Sequence, residues 1–431
     1  MMCVVVLLYS PVVAQEWVRR YNGPADTTDE ATAIAVDADG NIYVTGRSLG
    51  SGTRFDYATI KYNPAGEELW VRRYNGPGND NDEATAIAVD ADGNIYVTGK
   101  SYGSGTRFDY ATIKYNPAGE ELWVRRYNGP GNGDDEAYAT AVDADGNIYV
   151  TGKSLGSGTW FDYATLKYNS AGTYLRVRRY NGPSNGDDMA YAIAVDADSN
   201  VYVTGKSYGS GTHHYDYATI KYNSAGDTVW VRRYNGPGNY DDEAYAIAVD
   251  ASGNVYVAGK SYGSYTSFDY ATIKYNSAGE IVWVIRYNGP GNSSDHAYAI
   301  AVDGAYVYVT GTSWGGPSTD NDYATIKYLA TQVEETNTKY QPAKLEVVPD
   351  LCSGKFVVKY YLPWKGKINL ALYDLSGRLL KTIYSGIKEG GKYEIPVSPL
   401  RATGIYFIRL SVSDGKQNIL TKTGKIIFNK K

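Results

Sequence analysis

A heptad recurs at a nearly constant interval through the first three quarters of the chain. Copies of DYATIKY, one of them with Leu in place of Ile, begin at Asp56, Asp109, Asp162, Asp216, Asp269 and Asp322, with spacings of 53, 53, 54, 53 and 53 residues. A fixed internal period of this size is typical of repeat architectures, in which each unit buries its apolar surface against its neighbours. The period therefore constrains the fold more strongly than the total length does.

Each period contains four strand-like runs. In the second unit they are Glu83–Asp90, Asn94–Gly99, Asp109–Tyr115 and Leu122–Tyr127, with a hairpin signal at residues 91–93. The inner runs are apolar or small on both faces, so each four-stranded sheet must be covered on both sides by its neighbours. Radial stacking of such sheets is a β-propeller. The 44 tyrosines, against 7 Phe, suit such strands because the rings pack while the hydroxyls find hydrogen-bond partners.

The strand count indicates six blades. The first three runs occur six times, whereas the outer run is displaced: Glu16–Tyr21 precedes the first inner strand, and no such run follows Tyr328. We therefore predict that Glu16–Tyr21 pairs beside Asp322–Tyr328 and closes a six-bladed ring, since a closed ring leaves only short, protected edges.

These units resemble a known bacterial repeat. The segments Val89–Gly99 and Asp109–Asn116, with the turn at Gly119, resemble the SBBP β-propeller repeat over Glu16 to Tyr328. The resemblance implies an extracellular or surface propeller and brings no catalytic motif. The family name implies seven blades, whereas the strands of this sequence predict six.

The period stops after Tyr328. Residues 330–343 lack alternation and are interpreted as a linker, and residues 344–431 contain short runs that predict a small antiparallel β-sandwich. The predicted strands are Lys355–Leu362, Lys367–Tyr373, Leu379–Ser385, Lys392–Pro396, Ile405–Ser413 and Leu420–Phe428. The predicted domains are therefore a propeller over residues 15–329, a linker and a sandwich.

The C-terminal residues resemble an export domain. The runs Leu372–Leu379, Gly404–Arg409 and Lys425–Ile427 resemble the C-terminal sorting domain of type IX secretion substrates. The resemblance implies that this domain contacts the type IX export machinery and that the propeller is the cargo. Residues 1–14 read as a secretory signal peptide, with a buried first strand as the alternative. Secretion or a cell-surface location is the resulting expectation.

Charge and cysteine content narrow the range of partners. Residues 344–431 carry 16 basic and 6 acidic side chains, a net charge of +10, whereas the preceding residues carry −15. An acidic propeller is a poor nucleic-acid binder, and no apolar run after the signal segment is long enough to span a bilayer. With Cys3 in the signal segment, Cys352 has no partner for an internal disulfide in the mature chain. We expect a monomer.

Propeller geometry places the loops after the second and fourth strands at one end of every blade. Varied residues occur at or near the loop after the second strand: Arg54, Arg107, Trp160, His213, His214, Tyr265 and Trp314. Varied side chains on a uniform scaffold are typical of a binding face. The alternative is drift in loops that nothing constrains.

A set of aspartates precedes the inner strands. These are Asp29, Asp82, Asp135, Asp188, Asp242 and Asp295, followed by Glu30, Glu83, Glu136, Met189, Glu243 and His296. If the inner strands line the axis, the aspartates surround one mouth of the channel, where oxygen ligands suit a cation such as calcium. The alternative, which we favour, is that each Asp accepts backbone N–H bonds at the strand entrance, and no cofactor is then expected. Similarly, 37–41 is interpreted as a hairpin turn because a calcium loop would need a later bidentate Glu.

Enzyme motifs are nearly absent. The chain has 3 His, at 213, 214 and 296, and neither a zinc spacing nor a nucleophilic triad is suggested. Repetition also argues against a catalytic carboxylate pair, because acid and base need different environments. We therefore predict a non-catalytic propeller that binds a carbohydrate or protein at the cell surface. The alternatives are an extracellular polysaccharide hydrolase or lyase using the acidic channel mouth, and a structural surface-layer component.

Overall fold

The computed structural model describes residues 16–211, 213–264, 266–316, 319–330, 344–348, 351–352, 356–362, 366–375, 377–389, 391–398, 403–413 and 418–428. The chain divides into two compact units, Met1–Val333 and Glu334–Lys431. The predicted signal peptide and residues 331–343 of the predicted linker lie outside the described residues.

In the residues that the structure describes, the first unit contains six consecutive sheets, numbered here in chain order. Sheet 1 contains β1 (Asp29–Val36), β2 (Ile42–Leu49), β3 (Phe55–Tyr62) and β4 (Glu68–Tyr74). Sheet 2 contains β5 (Asp82–Val89), β6 (Ile95–Tyr102), β7 (Phe108–Tyr115) and β8 (Glu121–Tyr127). Sheet 3 contains β9 (Asp135–Val142), β10 (Ile148–Leu155), β11 (Phe161–Tyr168) and β12 (Tyr174–Tyr180).

The next three sheets repeat this order. Sheet 4 contains β13 (Asp188–Val195), β14 (Val201–Tyr208), β15 (Tyr215–Tyr222) and β16 (Thr228–Tyr234). Sheet 5 contains β17 (Asp242–Val249), β18 (Val255–Tyr262), β19 (Phe268–Tyr275) and β20 (Ile281–Tyr287). Sheet 6 contains β21 (Asp295–Val302), β22 (Tyr306–Gly316) and β23 (Asp320–Leu329). All pairs are antiparallel neighbours in sequence order, which is the meander that the four-run pattern predicts.

Every inner strand carries a β-bulge at the same position. In sheet 3 the register passes from Gly152↔Ala137 to Thr151↔Ala139, so Tyr138 has no partner on β10. The glycine opposite the bulge is required by close approach, because a Cβ on Gly152 would lie 2.0 Å from the carbonyl oxygen of Glu136. The same shift and the same glycine recur in all six sheets. A bulge of this kind redirects one side chain away from the regular alternation of the strand.

Apolar clusters hold successive sheets together. Between sheets 1 and 2, for example, Tyr43, Tyr57 and Trp70 pack against Ile95 and Ile113, and equivalent clusters fill the next four junctions. Each junction also contains a buried tyrosine whose hydroxyl donates to a carbonyl of the following sheet. The bonds run from Tyr57 to Ala111, Tyr110 to Ala164, Tyr163 to Ala218, Tyr217 to Ala271 and Tyr270 to Ala324, at 3.1–3.2 Å.

The predicted ring closure is not confirmed. In the part of the chain that the structure describes, β23 is the edge of a three-stranded sheet and Glu16–Tyr21 forms no strand. This segment instead contacts sheet 1, where the Trp17 indole donates to the carbonyl of Pro64 at 3.2 Å. The two ends of the array are consequently open: Ile34 on β1 is 67% exposed and Tyr323 on β23 is 94% exposed.

The second unit is a two-layer β structure. One sheet has the order β24 (Lys344–Val348), β26 (Phe356–Leu362), β29 (Gly391–Val397). The other has the order β25 (Leu351–Cys352), β31 (Asn418–Phe428), β30 (Gly404–Ser413), β27 (Gly366–Tyr373), β28 (Leu379–Lys388). Residues from both sheets share one apolar core, which includes Val358, Leu370 and Leu410.

The predicted strands of this unit are observed, with two differences. A further strand, β24, precedes them, and β25 pairs in parallel with β31, because Leu351 and Cys352 lie beside Ile427 and Phe428. The prediction of a wholly antiparallel sandwich is therefore wrong at this edge. No helix in the described ranges of either unit has the length and apolar character needed to cross a membrane.

Candidate functional site

The predicted site residues that the structure describes lie at one end of the repeated sheets, called here the loop end. In sheet 3, Asp135 at the start of β9 lies opposite Ser154 near the end of β10, and Ser154 lies opposite Asp162 near the start of β11. The loop between β10 and β11 and the loop that enters β9 therefore meet at this end. The varied loop residues and the entrance aspartates share it, as the sequence predicts.

The entrance aspartates are occupied by backbone hydrogen bonds. Asp188 accepts the amide of Gly182 at 2.6 Å and the amide of Tyr208 at 3.2 Å, and it is fully buried. Five of the six bury their carboxylates completely, and each of the six accepts the amide of the glycine six residues earlier. This geometry supports the backbone-capping alternative. Calcium binding stays a prediction, and among the described residues no group of three His, Cys, Asp or Glu side chains is arranged to hold a metal.

Burial raises the pKa of several of the entrance aspartates. Removal from water raises the pKa of Asp188 to about 6, even though hydrogen bonds from Ser207 and Gly182 favour the ionised form. The pKa of Asp242 rises to about 6 for the same reason. The desolvation of a charged group outweighs the hydrogen bonds that it receives.

Five of the six heptad aspartates belong to a largely buried ion-pair network beside the entrance aspartates. The Arg179 guanidinium donates to Asp162 at 2.8 Å, to the Ser154 hydroxyl at 2.6 Å and to the Tyr127 hydroxyl of the preceding sheet at 3.2 Å. The same network forms around Arg73, Arg126, Arg233 and Arg286. It ties three strands of one sheet to the previous sheet, so the recurring heptad serves the scaffold.

The hairpin turns at the opposite end are structural as well. Asp37 accepts the amides of Asp39 and Asn41 at 3.0 and 2.8 Å and the Tyr43 hydroxyl at 2.9 Å. Burial raises the pKa of Asp37, but the bonds from Asn41, Tyr43 and Asp39 outweigh it and hold the pKa below its usual value. The interpretation of 37–41 as a hairpin turn agrees with this geometry.

The varied loop residues are mostly exposed. The side chains of Arg54 and Arg107 are 67% and 68% exposed and pair with Asp80 and Asp134 of the next sheet. Trp160 is 66% exposed. His213 is exposed at a positive φ, and His214 stacks on Tyr240 with ring centroids 3.8 Å apart. Trp314 lies within β22 and is half-buried, and Tyr265 lies outside the described residues.

The sequence analysis missed the bulge residues, which form the bulge row: Thr32, Thr85, Tyr138, Tyr191, Tyr245 and Tyr298. The four tyrosines pack in series, with ring centroids 5.5–5.6 Å apart. In sheets 1 and 2 a threonine takes their place and donates to an alanine carbonyl of the next sheet. The change from Thr to Tyr in a strand that otherwise hardly varies was the signal available in the sequence.

A charged belt runs beside the bulge row, formed by Glu30, Glu83, Glu136, Glu243, Arg47, Lys100, Lys153, Lys206 and Lys260. The Tyr138 hydroxyl donates to Glu136 at 3.2 Å and the Tyr245 hydroxyl to Glu243 at 2.8 Å, which links belt and row. Each cation also lies over an aromatic ring at the start of the third strand, such as Lys206 over Tyr215 at 4.4 Å. The belt and the row together form a polar, aromatic surface on the inner strands.

The belt is not uniform, because Met189 and His296 stand where the other sheets have glutamate. Burial lowers the pKa of His296 and Lys260 lowers it further, which outweighs the opposite effect of Glu243 and Asp295. Its Nδ1 lies 3.2 Å from the Tyr298 hydroxyl. The belt thus carries fewer carboxylates in sheets 4 and 6 than the repeat alone would supply.

Four segments, residues 16–52, 69–105, 122–158 and 229–266, match the family model of the SBBP β-propeller repeat. The match confirms the type of repeat predicted from the sequence. A curated relative, the regulatory protein FlaEY of Caulobacter vibrioides, is 31% identical over 138 residues, which span 28% of this chain and 13% of FlaEY.

Solved structures share the architecture at low identity. An α-L-arabinanase of Penicillium chrysogenum complexed with arabinobiose has a TM-score of 0.44 and 13% identity, covering 73% of this chain and 97% of its own. An α-L-arabinofuranosidase of Fusarium graminearum has a TM-score of 0.42 and 9% identity over 72% and 97%. The β-propeller domain of the Trilobed protease of Pyrococcus furiosus has a TM-score of 0.41 and 8% identity over 93% and 94%.

These neighbours correct one prediction. The sequence analysis predicts that the chain is not an enzyme, but the arabinanase and the arabinofuranosidase are enzymes with a similar arrangement of strands. The prediction is contradicted because it rests on absent motifs, and catalytic residues can be assembled from separate strands with no local signature. At these TM-scores the likenesses assign no activity to this chain.

Proposed function

We propose that the chain is an exported β-propeller that binds a carbohydrate at the cell surface through its loop end. One observation carries the proposal: the scaffold is nearly identical from sheet to sheet, while the side chains that it presents at the loop end differ and are exposed. Trp160 is 66% exposed and Tyr240 is 50% exposed. The exposed Trp160 indole suits the apolar face of a sugar ring, and Arg54 and Arg107 at the same end of the sheets suit its hydroxyls.

The proposal includes a closed ring of six blades. Glu16–Tyr21 already occupies, against sheet 1, the position that each fourth strand takes against the next sheet. The Tyr21 hydroxyl accepts a bond from Arg73 at 3.1 Å, as the Tyr74 hydroxyl accepts one from Arg126 at 3.1 Å. The Trp17 bond to Pro64 likewise matches that of Trp70 to Pro117, both at 3.2 Å. A sixth blade completed by this segment would place β23 beside it.

The two open ends are complementary. Tyr323 of β23 corresponds to the five junction tyrosines, and Ala58 of β3 corresponds to their carbonyl acceptors in the following sheet. The open face of sheet 1 contains a cavity whose lining includes the apolar residues Ile34, Val44 and Ile60 beside charged side chains such as Arg19 and Glu30. Closure would bury this surface at about 25 cal/mol per Å² of apolar area removed from water.

Export is proposed through the C-terminal unit. The runs Leu372–Leu379, Gly404–Arg409 and Lys425–Ile427 carry the resemblance to type IX sorting domains, and in the first of them Gly377 adopts a positive φ of 82° and its amide donates to the Asp374 carbonyl at 3.0 Å. Fractionation of a host that contains the type IX machinery tests this step. We expect the full chain outside the cell and a chain truncated after residue 343 in the periplasm, and equal export of both would contradict it.

A glycan array with the full chain tests the binding. We expect retained glycans, and we expect Trp160→Ala and Tyr240→Ala to weaken retention while Leu175→Ala, which alters an exposed outer-strand residue, leaves it unchanged. Retention of no glycan, with capture of a protein ligand instead, would overturn the carbohydrate proposal. Release of reducing ends from a bound glycan would add catalysis to the binding proposed here.

A further inference from the structure

We infer that the bulge row and charged belt form an acidic-sugar site, which binds the carboxylate-bearing rings of a uronic acid oligosaccharide. The site lies on the inner strands of sheets 3 to 6 and is distinct from the exposed loop side chains. It rests on the proposed carbohydrate binding and deepens it, because it specifies the charge of the ligand and the residues that select it.

The first step is the aromatic surface. Tyr138, Tyr191, Tyr245 and Tyr298 follow one another at 5.5–5.6 Å, and all four keep part of their surface accessible. The bulge directs them out of the ordinary alternation of a strand, a placement that recurs beside functional sites. A series of phenol rings with hydroxyls held by neighbouring side chains offers flat apolar faces beside polar groups, which is the composition of a sugar ring.

The second step is the local charge. In sheets 1 and 2 each cation has two carboxylate partners: Arg47 contacts Glu30 and Glu83 at 2.8 and 3.1 Å, and Lys100 contacts Glu83 and Glu136 at 3.5 and 3.8 Å. In these two sheets the positive charges of the belt are matched by carboxylates, and the bulge residue is threonine. In the described part of these two sheets the bulge row supplies no aromatic ring, and each belt cation already has two carboxylates within 4.0 Å.

The balance changes where the tyrosines begin. Within the described residues, Lys153, Lys206 and Lys260 each have one carboxylate within 4.0 Å, and the latter two share Glu243. The missing partners correspond to Met189 and His296. Lys206 and Lys260 lie 5.9 Å from the centres of the Tyr191 and Tyr245 rings. Positive charge and aromatic faces are thus brought together on the same arc of the inner surface.

The third step is the chemistry that this pairing selects. A carboxylate on a sugar that stacks on Tyr191 or Tyr245 would accept a charge-assisted hydrogen bond from the adjacent lysine, which is about twice as strong as a neutral one. The site is partly shielded, with Lys206 and Lys260 side chains only 15% and 16% exposed, so the attraction is screened less than at an open surface. A neutral sugar would gain the stacking alone.

The repeat supplies matched variants for the test. Met189→Glu with His296→Glu restores the residue found in the other sheets, and Tyr191→Thr with Tyr245→Thr introduces the residue of sheets 1 and 2. These substitutions use side chains that the same scaffold already accommodates. As a control, Tyr174→Glu with Thr228→Glu adds two negative charges on outer strands, at positions where β4 and β8 have glutamate.

Calorimetry on the full chain uses tetragalacturonate and its fully methyl-esterified form as probes. We expect the acid to bind about tenfold more tightly than the ester, a difference that corresponds to one charge-assisted contact. The double glutamate variant should lose this preference, the double threonine variant should weaken both probes, and the control should match the wild type. Circular dichroism melting confirms that each variant is folded.

Two results separate this inference from the proposed function. A wild-type chain that retains glycans on the array but binds acid and ester equally overturns the acidic-sugar site alone. A folded double glutamate variant that keeps the full preference for the acid also overturns it. A wild-type chain that retains no glycan on the array and binds neither probe overturns both proposals.

Discussion

Two rows of residues cross the repeated sheets within a few residues of each other, and they behave differently. The ion-pair network of Arg179, Asp162 and Ser154 recurs in five sheets, and in sheets 2 to 5 its arginine also donates to a tyrosine of the preceding sheet. The bulge row changes from threonine to tyrosine, and the belt beside it changes from glutamate to Met189 and His296. Both rows arose from the same repeat, so their difference reflects different constraints.

The difference shows which positions can change residue without loss of the fold. The network is largely buried, and Arg179 donates to groups on three other strands, β11, β10 and β8, so its loss would leave a buried charge unpaired. The bulge residue faces the inner surface and makes few bonds that the sheet needs. Uniformity within the repeat therefore marks the scaffold, and variation marks the surface that we propose binds a ligand.

The largest effect is expected from Arg179→Ala. It would leave Asp162, whose side chain is 7% exposed, without its cation. Breaking a buried pair in this way costs about 3–5 kcal/mol. The control is Arg54→Ala, which removes an ion pair with 67% and 36% exposed side chains and should cost at most about 1 kcal/mol. Chemical denaturation measures both. Equal costs would show that the network is no more essential than a surface pair.

Gly152→Ala tests the backbone approach that creates the bulge. The new Cβ would meet the Glu136 carbonyl oxygen at 2.0 Å, and because that atom is backbone, β9 and β10 must separate. We expect a loss of about 3 kcal/mol, at the upper end of overpacking costs. Gly158→Ala is the control, since nothing lies within 4 Å of its Cβ and only its φ of 86° is unfavourable, at about 1–2 kcal/mol. A smaller loss at Gly152 than at Gly158 would contradict the role of the close approach.

Asp188→Asn tests the buried entrance carboxylate through pH. The native pKa of about 6 lies above the unfolded value of 3.8, so the native state binds a proton more readily between these values. The wild type therefore gains stability as pH falls through 6 and loses it as pH rises. Since the variant lacks this proton, its deficit in unfolding free energy should be about 1 kcal/mol larger at pH 5 than at pH 8.

Asp143→Asn provides the opposite case. Burial raises the pKa of Asp143, but hydrogen bonds from Asn147 and Tyr149 lower it below 3.8 overall. The stability that the ionised Asp143 carboxylate contributes is lost only below that pH. The deficit in unfolding free energy of Asp143→Asn should therefore not change between pH 8 and pH 5. A pH-independent deficit for Asp188→Asn as well would show that the Asp188 carboxylate is ionised in the native protein throughout this range.

Much of the scaffold was predictable because it follows from local patterns. The run Asp109–Tyr115 predicts nearly all of the observed strand Phe108–Tyr115, since alternation and turn residues are local signals. The turn at Asp37 was predicted for the same reason. The entrance aspartates were placed at the correct end of the sheets, but their complete burial depends on a loop whose glycine, such as Gly182, folds back to donate its amide.

The inner surface was less predictable because it depends on register. A bulge is a shift of one residue between two strands, and it arises here from the approach of the Gly152 backbone to the Glu136 carbonyl. The residue types of Gly152 and Glu136 do not by themselves predict this close approach. Comparison of the copies would have singled out Tyr138, but not the direction in which its ring points. The carboxylate partners of Lys100, Glu83 and Glu136, also lie in different sheets, which a single strand pattern cannot reveal.

The smallest expected effect tests whether sheets 6 and 1 form a sixth junction like the five that join the successive sheets. Tyr163→Phe removes a buried bond of 3.1 Å between its hydroxyl and the Ala218 carbonyl, and we expect it to cost about 1 kcal/mol. If β23 docks on sheet 1 within the same chain, Tyr323→Phe removes the equivalent bond to Ala58 and should cost the same. If the ends stay open, Tyr323 stays 94% exposed. The substitution then removes only a hydrogen bond between its hydroxyl and water, so the cost in unfolding free energy is close to zero. Denaturation of both variants at several protein concentrations also identifies a second copy as the partner, because only then would the cost at Tyr323 depend on concentration.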